Sequence, residues 1–156
     1  MFSRKRVLIN DLLNNHGNYM DKDVKVNGWI ETMRIQKVNG IAFISLTDGS
    51  SVQTLQIILD PNGDDELEKL GTIYTDGTKG VSIEVFGKVV ESPAKGQTIE
   101  IKCESLKVLG KVNAAEYPIA KKKLSLDYIR KFYHLRIRTK TIAAVSRIRN
   151  ACSIAT

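Results

Sequence analysis

Alternation of apolar and polar residues constrains this chain more than any other feature. From Val24 to Gln36 (VKVNGWIETMRIQ), Val24, Val26 and Ile30 share one phase and Lys25, Asn27 and Glu31 the other. Successive side chains of a strand point to opposite faces, so the segment reads as a half-buried strand. Lys37-Val38-Asn39-Gly40 carries the Asn-Gly hairpin signal. Further strands are expected over Ile41–Asp48 and Val52–Asp60, separated by the turn Asp48-Gly49-Ser50-Ser51. Pro61-Asn62-Gly63 then breaks the pattern. Asp64 to Tyr74 (DDELEKLGTIY) reads as a short helix with acids in its first turn, where the helix dipole favours them. Val81–Val90 and Gln97–Leu109 are expected as the fourth and fifth strands, joined at Pro93-Ala94-Lys95-Gly96.

Three strands, a short helix and two strands is the order of an OB-fold, a mainly β, five-stranded Greek-key β-barrel. Gly28 and Gly87 fall inside strands, where a small closed barrel needs sharp bends or bulges. Residues 7–16 form a short helix or lead-in. The expected organisation is a lead-in over 1–20, the barrel over 21–112, a helical hinge over 113–140 and the start of a further domain over 141–156.

The hinge and the final segment carry the charge. The net charge of +7 is uneven: residues 118–156 hold ten Lys/Arg and one Asp, whereas residues 7–117 hold 11 Lys/Arg and 16 Asp/Glu. The barrel is therefore slightly acidic, and a simple reading of nucleic-acid affinity from overall basicity fails. No apolar stretch is long enough for a membrane span, and Met1-Phe2-Ser3-Arg4-Lys5-Arg6 is not followed by the apolar run of a secretory signal. Cys103 and Cys152 lack metal-ligand or redox spacing and read as free thiols of a reducing compartment. Gly63, Gly71, Gly77 and Gly80 lack phosphate-loop spacing, and His16 and His134 belong to no visible catalytic or metal arrangement.

After the linker Gly110–Glu116 and the stiff Tyr117-Pro118, Ser125 is expected to cap a helix through Tyr133. A last helix begins at Thr141, with Ile142, Val145, Ile148, Cys152 and Ala155 in an apolar stripe that needs a partner. The absence of a helix-stop signal after Ala151 reads as the front part of a longer protein.

Four residues of the barrel are candidates for ligand contact. Phe43 lies out of phase with Ala42, Ile44 and Leu46. It either faces outward, where OB-folds stack bases on aromatics, or packs under a loop or in the core. Arg34 ends the first strand; its guanidinium suits a base edge or phosphate, and the alternative is a solvated or paired surface Arg. Gln56 interrupts Leu55-Ile57-Leu59, and Glu100 alternates with Ile99 and Ile101. Each either reads a base edge or is a plain solvent-facing polar residue. Lys121, Lys122 and Lys123, with Arg130, Lys131, Arg136 and Arg138, either hold a phosphate backbone or form a solvated or paired basic face.

The segments VKVNGWIETMRIQKVNGIAFISLTDGS, LQIILD, VFGKVVESPAKGQTIEIKCESLKVLG and YPIAKKKLSLDYIRKFYHLRIRTKTIAAVSRIRNACSIAT resemble the N-terminal region of asparaginyl-tRNA synthetase. The last is the most specific, through YP, KK, SLDYIR, HLR-x-RT and AV-x-RIRN. Two positions depart from the family pattern, which usually has Pro at Ile137 and His at Leu124.

The resemblance implies an anticodon-binding OB domain of a class IIb aminoacyl-tRNA synthetase, with the tRNA(Asn) anticodon stem-loop as partner. It implies that Phe43 stacks on the central anticodon base and that Arg34, Gln56 and Glu100 contact anticodon bases. The hinge basic residues Lys121, Lys122, Lys123, Arg136 and Arg138 would lie along the tRNA backbone. The final helix is similar to the start of motif 1, so Ile142, Val145 and Ile148 would belong to a homodimer interface. A full-length enzyme of this kind is cytoplasmic and uses ATP and Mg²⁺. No catalytic, cofactor or metal residue is expected in these 156 residues, and alone they are expected not to aminoacylate. The alternatives are an aspartyl-type anticodon domain, a stand-alone module for single-stranded nucleic acid, or a protein-interaction barrel.

Overall fold

The computed structural model describes residues 5–60, 79–94, 96–119 and 124–156. Five strands follow the expected alternation: β1 (Asp23–Ile35), β2 (Ala42–Thr47), β3 (Leu55–Leu59), β4 (Ser82–Glu91) and β5 (Ile99–Gly110). They close into a barrel of order β1-β2-β3-β5-β4. All neighbours are antiparallel except β3 and β5, whose parallel pairing completes the ring. Closure leaves no free sheet edge between these strands, and so removes a template for unwanted pairing. The expected helix over Asp64–Tyr74 lies outside the described residues.

Bends are supplied where the sequence places its strand glycines. A Cβ on Gly87 would sit 2.1 Å from the Lys102 carbonyl oxygen, and one on Gly28 would sit 2.6 Å from that of Thr47. Gly87 lies at a register shift, where the β4–β5 pairing moves from Phe86–Ser105 to Gly87–Cys103. A side chain at either position would push neighbouring strands apart, so glycine permits the close approach that coils the sheet.

The strand limits depart from the sequence reading by one to three residues, most at the start of β3. β3 begins at Leu55, because Ser51 Oγ accepts the Gln53 N–H at 3.1 Å and folds the residues before it into a local turn. The β1–β2 connection is one residue longer at each end than the expected turn Lys37–Gly40. The Gln36 carbonyl accepts the Gly40 N–H at 2.9 Å, and Asn39 Oδ1 accepts the Ile41 N–H at 3.2 Å. Within the Asn-Gly pair only Gly40 has positive φ, at 71°.

Inward-facing residues of all five strands form the core, including Val26, Ile30, Ile44, Leu46, Leu55, Ile57, Ile83, Val85 and Ile101. Each such buried aliphatic contributes about 1.5–3 kcal/mol relative to exposure. The helix α1 (Ile9–Asn14) contributes Ile9 and Leu12 to the same core. Its start is pinned by distant residues: Ile9 N–H donates to Asp48 Oδ2 at 3.0 Å, and Asn10 N–H to Ser50 Oγ at 3.0 Å. Within the segment expected as a lead-in, Val7, Leu13, Tyr19 and Met20 also pack against this core.

The chain divides into two units, Met1–Ala114 and Ala115–Thr156. The second contains α2 (Leu126–Arg130), a 3₁₀ turn (Arg136–Arg138) and α3 (Lys140–Ala155). Ser125 caps α2 as expected, its side chain accepting the Tyr128 N–H at 3.2 Å. Among the described residues, no helix is long and apolar enough to cross a membrane, and Cys103 and Cys152 are unbridged.

Candidate nucleic-acid interface

Strand register assembles the candidate residues on the outer surface of the barrel. In β2, Ala42, Ile44 and Leu46 are buried inward, which sends Phe43 and Ser45 outward. Phe43 pairs with Arg34 of β1 and with Ile58 of β3, and Ile58 pairs with Lys102 of β5. Lys88 of β4 continues this row as the partner of Lys102. Strands lie about 4.8 Å apart, so Arg34 to Lys102 spans about 14 Å of surface. Cations at both ends of an aromatic and aliphatic centre suit a nucleotide, whose base stacks while its phosphates are neutralised.

A second row lies beside it. Thr32 of β1 pairs with Ser45, Ser45 with Gln56, and Gln56 with Glu100. The register shift between Ile30 and Thr32 is what places Thr32 and Arg34 on the outer face. Without that bulge the alternation running from Val24 would carry the opposite set outward. The four candidates from the sequence therefore fall in two adjacent rows on four strands.

Glu100 is not the plain exposed acid that its alternation suggests. It is only 4% exposed. Its Oε2 accepts from Gln56 Nε2 at 3.3 Å, Ser92 Oγ at 3.0 Å and Gln97 Nε2 at 3.3 Å. Gln97 Nε2 also donates to Ser92 Oγ at 2.7 Å. Ser92 and Gln97 stand in the β4–β5 connection, tied at its base by the Ser92 N–H donating to the Thr98 carbonyl at 3.0 Å. A buried carboxylate needs such donors to offset its lost hydration.

Sequence reasoning missed Ser92 and Gln97, which carry no local signal, and also Ile58 and Lys102. The last two were detectable in principle, lying two residues beyond Gln56 and Glu100 in the same outward phase.

The second unit holds the remaining candidates. Arg136 Cζ lies 5.4 Å from the centroid of the exposed Tyr133 ring, a cation–π geometry. The Tyr128 and Phe132 rings meet at 5.1 Å. Burial pushes the Tyr117 phenol above its ordinary value, and the Arg138 charge acts in the opposite direction. Arg136 and Arg138 are half-buried in the 3₁₀ turn, and Lys121, Lys122 and Lys123 lie outside the described residues. On α3, Val145 is 50% and Ile148 65% exposed, and Ile142 is half-buried. No group of three His, Cys, Asp or Glu able to hold a metal occurs among the described residues.

Comparison with known proteins agrees with the barrel fold. Residues 24–109 match the tRNA anticodon family model, described as an OB-fold nucleic acid binding domain. The chain is 41% identical over 151 residues to the asparagine–tRNA ligase of Cytophaga hutchinsonii, covering 97% of this chain and 31% of that protein. It is 40% identical over 145 residues to that of Syntrophobacter fumaroxidans, covering 93% of this chain and 30% of that protein. The chain thus spans about three-tenths of the length of these curated relatives. Among solved structures, the asparaginyl-tRNA synthetase of Pyrococcus horikoshii complexed with asparaginyl-adenylate superposes with a TM-score of 0.75 at 23% identity, covering 97% of this chain and 33% of that one. That likeness is one of fold. With a closed five-stranded barrel and a family match over residues 24–109, the chain belongs to the OB-fold nucleic acid binding domains of the tRNA anticodon family.

Proposed function

We propose that the barrel is the anticodon-reading part of an asparaginyl-tRNA synthetase, and that its partner is the anticodon stem-loop of tRNA(Asn). The observation that carries this reading is the cross-barrel row Arg34–Phe43–Ile58–Lys102, flanked by Gln56 and Glu100. Phe43 supplies a stacking surface for the central anticodon base, and Arg34 and Lys102 take phosphates or base edges. Gln56 reads a base edge through its amide. The identity of about 40% to asparagine–tRNA ligases supports asparagine as the amino acid of the parent enzyme.

The other parts of the reading follow from it. Lys121, Lys122, Lys123, Arg136 and Arg138 hold the RNA backbone. The exposed Val145 and Ile148, with Ile142, contribute to a homodimer interface. The relatives extend well beyond the stretch that this chain spans. Ligation, with its ATP and Mg²⁺, is assigned to sequence of that kind, and the parent enzyme to the cytoplasm.

The test is binding to stem-loops carrying GUU, GUC and an unrelated triplet at two salt concentrations, with Phe43→Ala alongside. A preference for GUU that collapses in the variant supports the reading. Preference for GUC favours an aspartyl-type domain. Equal, salt-sensitive binding to all three that Phe43→Ala leaves unchanged would assign binding to the basic hinge and overturn the site.

A further inference from the structure

The outward row does not stop at the strands that carry the candidate contacts. Lys102 of β5 has Lys88 of β4 as its direct cross-strand partner, and both side chains are exposed. Directly opposed residues bring their Cβ atoms to about 4.5–5.5 Å, and like charges so placed destabilise a sheet. Neither ammonium takes part in an ion pair or a side-chain hydrogen bond among the described residues. Asp23, the β1 partner of Lys88, does not pair with it. Further along the same strands the charges are matched: Lys25 Nζ lies 3.7 Å from Glu84 Oε2, and Lys107 stands opposite Glu84. Residues 7–117 hold 16 Asp/Glu against 11 Lys/Arg, so acids are not scarce. An unmatched lysine pair in such surroundings points to an anion from outside the chain.

We propose that Lys88 and Lys102 form a clamp for one backbone phosphate of the RNA whose base lies on Phe43, so that the nucleic-acid path continues from β3 across β5 onto β4. This rests on the reading of the outer face as an RNA site. Lys102 is two strands from Phe43 in the same row, or about 10 Å, and Lys88 is three strands away, or about 14 Å. The clamp therefore lies beside the base-contacting residues, not among them. A lysine ammonium is a compact point charge on a flexible stem, so two that face each other across a ladder can close on one phosphate. The bound phosphate offsets the repulsion between the two ammonium groups, which the free protein carries uncompensated. Contacts of this kind fix the register of the backbone and carry no sequence information. Substituting the lysines should weaken all stem-loops alike and leave the preference among them unchanged.

The experiment measures equilibrium binding of the chain to GUU and unrelated stem-loops across a salt series, for the parent, the Lys88→Gln/Lys102→Gln double variant, Lys107→Gln and Phe43→Ala. One phosphate that is no longer neutralised lowers the slope of log affinity against log salt by about 0.7 for a single strand. The double variant is expected to show that decrease once. It should also lose about three- to tenfold in affinity for both RNAs at low salt, and melt no lower than the parent. Lys107→Gln, exposed on β5 away from the clamp, is expected to bind like the parent. A single uncharged methylphosphonate moved through the GUU loop should weaken the parent at one linkage and leave the double variant unaffected there. A double variant that binds like the parent, while Phe43→Ala weakens binding, overturns the clamp and leaves the reading of the face intact. A slope decrease of about 1.4 assigns the lysines to two separate phosphates and overturns it too. So does a loss of binding accompanied by a lower thermal midpoint, which makes the pair structural. If Phe43→Ala alters neither affinity, the reading of the face itself fails, and the clamp fails with it.

Discussion

Arg34 and Phe43 are direct cross-strand partners on the outer surface of the barrel, one residue on each side of the β1–β2 ladder. A base laid on the Phe43 ring therefore lies within reach of a guanidinium. Phe43→Ala is expected to weaken binding to single-stranded RNA by about 1–3 kcal/mol, or about five- to 150-fold. Phe43 is outside the core, so the thermal midpoint should change little. Fluorescence anisotropy with a labelled stem-loop and a melting curve on the same sample separate the two effects.

Gly87 allows β4 and β5 to approach closely. With a Cβ there only 2.1 Å from the Lys102 carbonyl oxygen, Gly87→Ala must move backbone. The expected loss is about 1–3 kcal/mol of stability, visible as a lower midpoint in thermal or urea unfolding. Gly17→Ala serves as control, since a Cβ there has nothing within 4 Å, and it should be close to neutral.

The Asp11 carboxyl accepts hydrogen bonds from the Tyr19 hydroxyl and, second, from the Asn15 amide; these hold it below its ordinary value of 3.8, against a smaller opposing effect of burial. A carboxyl lowered in the folded state contributes stability above its unfolded value and loses it as pH falls through the folded one. Tyr19→Phe should therefore be less stable than the parent by a constant margin from pH ~5 to ~8, and that margin should narrow below pH ~4. Thermal midpoints of both proteins across that range provide the check.

The Lys121-Lys122-Lys123 run should act through charge alone. Replacing all three by Ala is expected to weaken GUU and unrelated stem-loops by similar factors. It should also reduce the slope of log affinity against log salt by about 0.7–0.9 for each phosphate that is no longer neutralised. A salt titration of the triple variant against the parent measures this.

Much of the barrel was legible because alternation is local. Ala42, Ile44 and Leu46 against Phe43 marked two faces of β2, of which the structure buries the first, and the break after Asp60 separated the third strand from the fourth. The strand glycines marked close approaches for the same reason, since only a missing side chain permits them. What escaped depends on residues far apart in sequence. Nothing near Ile9 announces that Asp48 and Ser50 will anchor its helix to the barrel. Glu100 read as exposed because its neighbours Ile99 and Ile101 are apolar. Its burial comes from Ser92, Gln97 and Gln56, which reach it from the connecting loop and an adjacent strand. The β1–β2 connection runs one residue past Lys37–Gly40 at each end, because the Asn-Gly signal does not reveal that Gln36 will bond Gly40.

The most direct test of the central claim is a residue-resolved map of RNA contact: ¹⁵N-labelled chain titrated with a GUU stem-loop and followed by amide chemical shifts. The account predicts that the largest shifts fall on Arg34, Phe43, Gln56, Ile58, Lys102 and their strand neighbours. Shifts confined to Ala115–Thr156, with the outer face of β2 and β3 silent, would contradict it.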